Sequence, residues 1–278
     1  MTQKEAFEIL KTGENVFLTG AAGSGKTYLL NEYIKLLKAR GIAVGVTAST
    51  GIAATHMQGI TLHSWAGIGI HRTVADNDLR ALVTKRAKKN LERARTLVID
   101  EISMLDADRL DLADRVARLV RGSFQPFGGM QVVLCGDFFQ LPPVAKQGEP
   151  PPRFAFRASA WNTLNLKICY LEEQYRHGDP VFLTVLNAIR NAAMHDGAMR
   201  HLEGRIQTPL AARADIRPVH LSSHNIDVDA ENERELGRLD GQEKRYSMEA
   251  RGIKAIAASL KAGCLAPEEL VLKKGAAV

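Results

Sequence analysis

The chain has 278 residues, of which 45% are hydrophobic and 24% are charged, as in an ordinary soluble globular protein with room for one large domain or two modest ones. Its 37 Lys and Arg residues against 31 Asp and Glu residues give a formal net charge of +6, compatible with a polyanionic partner and equally with a basic solvated surface. No run approaches the ~20 apolar residues that span a bilayer, so no membrane-spanning helix is predicted.

Cysteine spacing and the first residues bear on the compartment. Cys135, Cys169 and Cys264 lie far apart, without CxxC spacing or a His cluster, so no zinc site is predicted. The first ten residues are amphipathic and lack the apolar stretch of a signal peptide. We therefore expect a cytoplasmic protein.

Short apolar runs alternate with longer amphipathic segments along the chain. This pattern predicts an α/β fold, with a parallel sheet flanked by helices. Strands are predicted at residues 15–19, 43–48, 96–100 and 131–135. A helix is predicted over residues 27–40, where Leu30, Ile34 and Leu37 share one stripe and Gly41 follows.

A second helix is predicted from a cap at Asp106 to about Arg121. Its buried side is expected to carry Leu112, Val116 and Leu119. Its outer side offers two i,i+4 ion pairs. These are Asp111–Arg115 and Asp114–Arg118.

The periodicity weakens after about residue 191, and the segment 148–152 is predicted to be a loop. An apolar run at 219–222 and a helical pattern at 227–239 then suggest that a new domain begins. We therefore predict a first domain at residues 1–200, a linker at 201–217 and the beginning of a second domain at 218–278.

Residues 20–27 read Gly-Ala-Ala-Gly-Ser-Gly-Lys-Thr and fit the phosphate-binding pattern GxxxxGK[ST], between a predicted strand and a predicted helix. The glycines let several backbone N–H groups point at one phosphate, backed by the positive end of the helix. Lys26 is expected to reach the β- and γ-phosphates of ATP, and the Thr27 hydroxyl to bind Mg²⁺. The predicted nucleotide-binding residues of this loop are Gly20, Ala21, Ala22, Gly23, Ser24, Gly25, Lys26, Thr27 and Tyr28.

The apolar strand at 96–100 ends in two acids, which places carboxylates where open α/β sheets bind ligands. Asp100 suits the Mg²⁺ shell, and Glu101, expected to point the other way from the strand, could orient and deprotonate the attacking water. Gln140, after the strand at 131–135, could bond both the γ-phosphate and that water. A solvated acid pair and a plain loop glutamine are the alternatives.

Taken together, these segments resemble the Pif1-like family of superfamily 1B helicases. The resemblance is carried by Gln3 and residues 13–17, by 46–55 and 61–67, by the Asp-Glu-Ile-Ser-Met run at 100–104, by 111–129 with Pro-Phe-Gly-Gly at its end, by 136–143, and by 171–176. It covers most of the chain, and it implies two RecA-like domains, of which the second is incomplete here.

The resemblance also implies roles for residues that spacing alone does not assign. Gln3 would recognise adenine, and Arg176 would stabilise charge on the γ-phosphate. DNA would be contacted by Thr50, Gly51, His63, Ser64 and Trp65. For His63 and Trp65, a place in the protein core stays open as the alternative.

The function that follows is a 5′-to-3′ ATP-dependent DNA helicase that uses ATP and Mg²⁺. It would act as a monomer on single-stranded DNA or a forked duplex, nucleoid-associated when it is bound to DNA, with roles in DNA repair, recombination and telomere maintenance. Because the second domain is expected to be incomplete, the alternative is a nucleotide-dependent DNA- or partner-binding module that does not unwind DNA. A small-molecule kinase is disfavoured because no lid arginines are visible.

Overall fold

The protein divides into two compact units, Met1–Gly204 and Arg205–Val278. The structure is a computed structural model. It describes residues 1–69, 71–144, 151–176, 178–206, 221, 225–252, 257, 261, 264 and 266–276.

A parallel sheet forms the centre of the first unit, as the sequence predicts. Its strands are β1 (Val16–Gly20), β2 (Val44–Ala48), β3 (Ile60–Thr61), β4 (Thr96–Asp100), β5 (Gln131–Cys135) and β6 (Lys167–Leu171). Their order across the sheet is β3-β2-β4-β5-β1-β6, and each neighbouring pair is parallel. All carboxyl ends therefore meet at one edge of the sheet.

Helices cover both faces of this sheet. They are α1 (Gln3–Lys11), α2 (Lys26–Ala39), α3 (Gly51–His56), α4 (Leu62–Ala66), α5 (Leu79–Leu82), α6 (Lys85–Arg93), α7 (Ala107–Arg121), α8 (Ser159–Thr163), α9 (Pro180–Arg190) and α10 (Asp196–Glu203). Alternate residues of the central strands point into two separate cores, because successive side chains of a strand face opposite ways. One core is built with α4, α6 and α7, and the other with α1 and α2.

The predicted elements agree closely with the observed ones where the apolar signal is strong. β4 and β5 have the predicted bounds, and β1 and β2 differ from prediction by one residue at their ends. The α2 stripe is buried. Two strands of this sheet escaped prediction: β3 has only two residues, and β6 is an edge strand whose exposed Ile168 and Tyr170 alternate with buried residues.

Helix α7 begins after Asp106, whose side chain accepts the Arg109 N–H at 3.0 Å, so the predicted cap is confirmed. The prediction of an Asp111–Arg115 ion pair is wrong. Arg115 reaches Asp76 at 2.5 Å instead, and Asp111 accepts the backbone N–H of Ala160 at 2.8 Å. Both side chains therefore bind residues outside α7 and not each other.

The other predicted pair on this helix, Asp114–Arg118, is present at 2.8 Å. Asp114 is buried, however, rather than on an outer face. It also accepts the backbone N–H of Phe127 at 2.5 Å, which ties the helix to the following Pro-Phe-Gly-Gly turn. Of the expected buried stripe, Leu112 and Val116 are fully buried and Leu119 partly so.

Trp65 on α4 lies in the core, and only 5% of it is exposed. Its ring covers Gly45 of β2 so closely that a Cβ there would lie 2.5 Å from a ring carbon. The expected DNA contact of Trp65 is therefore corrected: the ring is used for packing and has no free face to stack on a base.

The second unit contains the helix α11 (Asn225–Arg238) and two antiparallel strands, β7 (Lys244–Ser247) and β8 (Glu269–Leu272). α11 matches the helical pattern at 227–239, β8 lies within the predicted second domain, and β7 was not predicted. The strand expected at 219–222, apart from Leu221, and most of the linker lie outside the described residues. α10 runs to Glu203, so the first unit ends at Gly204 rather than at residue 200.

None of the helices within the described ranges has the length and apolarity needed to cross a membrane.

Replacing Trp65 with Ala should lower the free energy of unfolding by about 3–5 kcal/mol, because the change leaves a cavity against Gly45. Urea denaturation followed by circular dichroism measures this loss. Phe124, which is 97% exposed, supplies the matched control, and Phe124→Ala should stay within about 0.5 kcal/mol of the wild type. A Trp65→Ala variant as stable as the wild type would contradict the core assignment.

Candidate functional site

The loops that leave the carboxyl ends of the strands bring the predicted site residues to one edge of the sheet. Following the strand order across the sheet, this edge carries His63 and Ser64 after β3, Thr50 after β2, Glu101 after β4, Gln140 after β5, the loop at 20–25 after β1, and Arg176 after β6. The predicted nucleotide residues therefore occupy one side of β4, and the predicted DNA residues occupy the other.

The glycine-rich loop has the backbone shape that a phosphate requires. Gly23 and Gly25 have φ values of +86° and +80°, in the left-handed region where other residues are strained. Gly25 caps α2 without a side-chain hydrogen bond, so the first N–H groups of this 14-residue helix remain available to an anion. Thr27 and Tyr28 are exposed at the start of the helix.

Lys26 donates hydrogen bonds to the carbonyl oxygens of Gly20 at 2.9 Å and Ala21 at 3.0 Å. Within the described chain it forms no direct ion pair with a carboxylate, so its positive charge is uncompensated at short range. The Ser24 hydroxyl is buried and has no hydrogen-bond partner among the residues that the structure describes. Both groups fit a loop that is completed by an anion.

Gln3 and the segment at 172–176 lie directly against this loop. The Gln3 side-chain amide donates to the Ser24 carbonyl at 3.3 Å, and a Cβ at Gly25 would meet that amide at 2.0 Å. The Tyr175 N–H donates to the Gly23 carbonyl at 2.9 Å, and the Arg176 Cβ lies beside Gly23. Arg176 itself is exposed. The structure thus brings Gln3 and Arg176 to the loop on which their predicted roles depend.

Asp100 ends β4 and is 5% exposed. Burial raises the pKa of its carboxyl, although hydrogen bonds from the Cys135 thiol and the Glu101 N–H, together with the charge of Lys26, partly offset this rise. Burial also raises the pKa of Glu101, as do the charges of Asp100 and Asp137, while Lys26 lowers it. Both acids therefore favour a nearby positive charge.

β4 ends at Asp100, so Glu101 does not continue the strand and strand alternation, the reason given for its direction, does not apply to it. Its backbone adopts φ +52°, in the left-handed region, and the chain turns there. Ser49 holds this turn: its N–H donates to the Asp100 carbonyl at 3.1 Å and its hydroxyl to the Glu101 carbonyl at 2.8 Å.

Gln140 is exposed, but its side-chain amide is attached to the buried Asp137, with Nε2 donating to Oδ2 at 3.1 Å. Asp137 in turn pairs with Arg190 at the end of α9, through contacts of 2.6 and 2.9 Å. Burial would raise the pKa of Asp137, but hydrogen bonds from Arg190, Gln140 and the Phe139 N–H outweigh it and hold that pKa below its usual value.

Most residues predicted to contact DNA are at the surface of the same edge. Thr50 caps α3 by accepting the Ala53 N–H at 3.3 Å, and Gly51 begins that helix and is exposed. Ser64 is exposed on α4, and its hydroxyl accepts a hydrogen bond from Thr61 at 3.0 Å.

His63 is half-buried on the same short helix. Burial lowers the pKa of its imidazole, and the charge of Arg109 adds to this effect against the opposing charge of Asp106. This lowered pKa favours the neutral form of the ring. It can contribute a hydrogen bond, but it does not attract phosphate by charge.

Ser49, Asp137 and Arg190 were missed from the sequence. Ser49 and Asp137 each follow a predicted strand, so a search for polar residues at strand ends would find them. Arg190 gives no such signal, because a basic residue in the last turn of a helix is common for other reasons. Its role depends on a contact across 53 residues of sequence.

Comparison with known proteins identifies the family of this chain. Residues 2–191 match the family model described as PIF1-like helicase. The chain is 45% identical over 284 residues to a protein of Psychrobacter sp. (strain PRwf-1) named ATP-dependent DNA helicase Pif1. The matched region covers 100% of this chain but 43% of that relative.

Solved structures give the same result. The Pif1 helicase from Candida albicans is 36% identical with a TM-score of 0.85, covering 98% of this chain and 62% of that one. A Pif1 helicase from Bacteroides in complex with ADP-AlF3 and single-stranded DNA is 30% identical with a TM-score of 0.77, covering 98% and 63%. Because the family model matches more than half of its residues, this chain belongs to the PIF1-like helicase family.

Proposed function

We propose that the chain forms the ATP-binding and ATP-hydrolysing part of a 5′-to-3′ DNA helicase. The observation that carries the proposal is the gathering of Lys26, Glu101, Gln140 and Arg176 at one sheet edge around a loop with free helix N–H groups. The names of the relatives and the nucleotide and DNA in the Bacteroides complex support it. The chain spans 43% of the Psychrobacter relative, so unwinding is proposed of the whole motor.

Each side chain has a role that its surroundings support. Lys26 would exchange its bonds to two loop carbonyls for bonds to the β- and γ-phosphates, and Gln3 would read the adenine. Glu101 would take the proton of the attacking water, which Gln140 orients. Arg176, exposed beside Gly23, would stabilise the charge that develops on the transferred phosphoryl group.

Asp100 and Thr27 are the residues that would hold Mg²⁺. Asp100 fits because its buried carboxylate has a raised pKa, which a cation would reverse, and Thr27 fits because its hydroxyl is exposed at the start of α2. The ion would supply positive charge at the β- and γ-phosphate oxygens.

Single-stranded DNA, alone or as the tail of a forked duplex, would bind across the other side of β4, at Thr50, Gly51, His63 and Ser64. Hydroxyl and backbone N–H groups on loops are suited to phosphate contacts. We also propose a monomer in the cytoplasm, where the free cysteines would stay reduced. Roles in DNA repair, recombination and telomere maintenance rest on the family alone.

Lys26→Ala should abolish ATP retention in a filter-binding assay, because the loop then loses the side chain that reaches the phosphates. Lys35, on the same helix and paired with Glu32, provides the control. Lys35→Ala should retain ATP like the wild type. Equal retention by both variants would remove the loop from nucleotide binding.

Glu101→Gln should reduce the ATP turnover rate by about 10²-fold or more while ATP binding persists, because the general base is lost and the side-chain shape is kept. Glu92→Gln, an exposed neutralisation on α6, is the matched control and should turn over normally. Steady-state phosphate release and nucleotide titration measure the two quantities. An unchanged turnover rate would exclude Glu101 from the mechanism.

Ser64→Glu should weaken binding of fluorescent single-stranded DNA by about tenfold at low salt, because it adds a negative charge where phosphates are expected. Asn162→Glu adds the same charge on the exposed side of α8 and should have little effect. If both variants bind alike, the DNA path lies elsewhere. An unwinding assay on a duplex with a 5′ tail separates a motor from a module that only binds.

A further inference from the structure

Arg190 and the buried Asp137 form a two-point ion pair beside the predicted site. Arg190 Nη1 lies 2.6 Å from Asp137 Oδ2 and Nη2 lies 2.9 Å from Oδ1. The exposed fractions of the two side chains are 14% and 1%. A pair of this geometry is strongly oriented, because both carboxylate oxygens are held by one planar group.

The same carboxylate also holds the loop that contains Gln140. Its Oδ1 accepts the Phe139 N–H at 3.2 Å, and its Oδ2 accepts the Gln140 side-chain amide at 3.1 Å. With four accepted hydrogen bonds, the Asp137 carboxylate has no free position for a metal ion. It is a fixed acceptor whose direction sets that of the exposed Gln140 amide.

Phe139 adds a second contact between this loop and α9. Its ring lies under the Arg190 guanidinium, 4.4 Å from ring centroid to guanidinium carbon. The arginine is therefore held between the Asp137 carboxylate and the Phe139 ring, the residues on either side of Phe138. Both contacts belong to the loop that carries Gln140. Arg190 therefore restrains this loop at two residues, through the Asp137 carboxylate and the Phe139 ring.

Helix α9 ends at Arg190, and it begins shortly after the segment that lies on the phosphate loop. The Tyr175 N–H contacts the Gly23 carbonyl at 2.9 Å, five residues before Pro180 starts the helix. One stretch of chain thus contacts the phosphate loop near its beginning and the Gln140 loop at its end. A shift of α9 would therefore move the Asp137 carboxylate, and with it Gln140.

We propose that Arg190 is a positioning residue for ATP hydrolysis, which acts through Asp137 to fix the Gln140 amide and links α9 to the phosphate-contacting loops. The inference rests on the proposed function, since it concerns the same site. It predicts that losing Arg190 weakens binding of the transition-state geometry more than binding of the nucleotide itself, because the hydrogen bonds and ion pair described for Arg190 go to Asp137 and not to the loop at 20–25.

The test uses the full chain, fluorescent ADP with and without aluminium fluoride, and phosphate release. Arg190→Gln should reduce turnover by about tenfold, through misplacement of Gln140, and should reduce the affinity gained on adding aluminium fluoride by a similar factor. Affinity for ADP alone should stay within about twofold. Arg200→Gln, the same change on α10, should behave as the wild type in every measurement.

Epistasis with Gln140 decides how Arg190 acts. If the effect passes through Gln140, the Gln140→Ala, Arg190→Gln double variant is no slower than Gln140→Ala. The inference is overturned if Arg190→Gln slows the Gln140→Ala variant by its full factor, if ADP affinity falls in parallel, or if Arg190→Gln matches the wild type.

A second variant and the wild-type measurements distinguish a loss of folding from a loss of activity. Should Arg190→Gln not fold, Arg190→Lys keeps the charge but not the two-point contact, and the same comparisons apply to it. A wild-type chain that fails to bind ADP would reject the proposed function as a whole. If the wild-type chain binds ADP but releases no phosphate, the affinity gained on adding aluminium fluoride still shows whether Arg190 acts on the transition-state geometry.

Discussion

The parallel direction of the strands in the first unit is the constraint on which its site depends. Because every neighbouring pair is parallel, all carboxyl ends lie at one edge, and the loops that follow them are brought together whatever their distance in sequence. The order across the sheet then divides the edge. β4 lies between the strands that precede the predicted nucleotide loops and those that precede the predicted DNA loops. Ser49, which follows β2 on the DNA side, donates hydrogen bonds to the carbonyl oxygens of both Asp100 and Glu101.

Charge at this edge is unevenly compensated, and that unevenness is informative. Of the three acids at this edge, Asp100 and Asp137 both raise the pKa of Glu101 through their charges. Asp137 has its own arginine and a lowered pKa, whereas burial raises the pKa of the other two. Lys26 is bonded to neutral carbonyls rather than to any of the three. The site therefore combines one satisfied acid that organises a loop with two that favour an added cation.

The sequence was informative where a local pattern and a local structure coincide. The phosphate loop, β4, β5 and the cap of α7 each depend on neighbouring residues, and each was predicted nearly residue by residue. What escaped depends on contacts between distant segments. The burial of Trp65 requires Gly45, the loss of the Asp111–Arg115 pair requires Asp76, and the role of Arg190 requires Asp137. Edge strand β6 was missed because half of its side chains face solvent, which hides the apolar signal.

Glu101 occupies a left-handed backbone position that glycine or asparagine would adopt at lower cost. A glutamate there stores roughly 1–3 kcal/mol of conformational strain, which the two hydrogen bonds from Ser49 help to offset. Local folding preference and chemistry thus compete for one pair of torsion angles. Sequence optimisation aimed at thermal stability alone would favour glycine at this position and would discard the carboxylate. Stability-guided redesign of this chain should therefore keep residue 101 fixed.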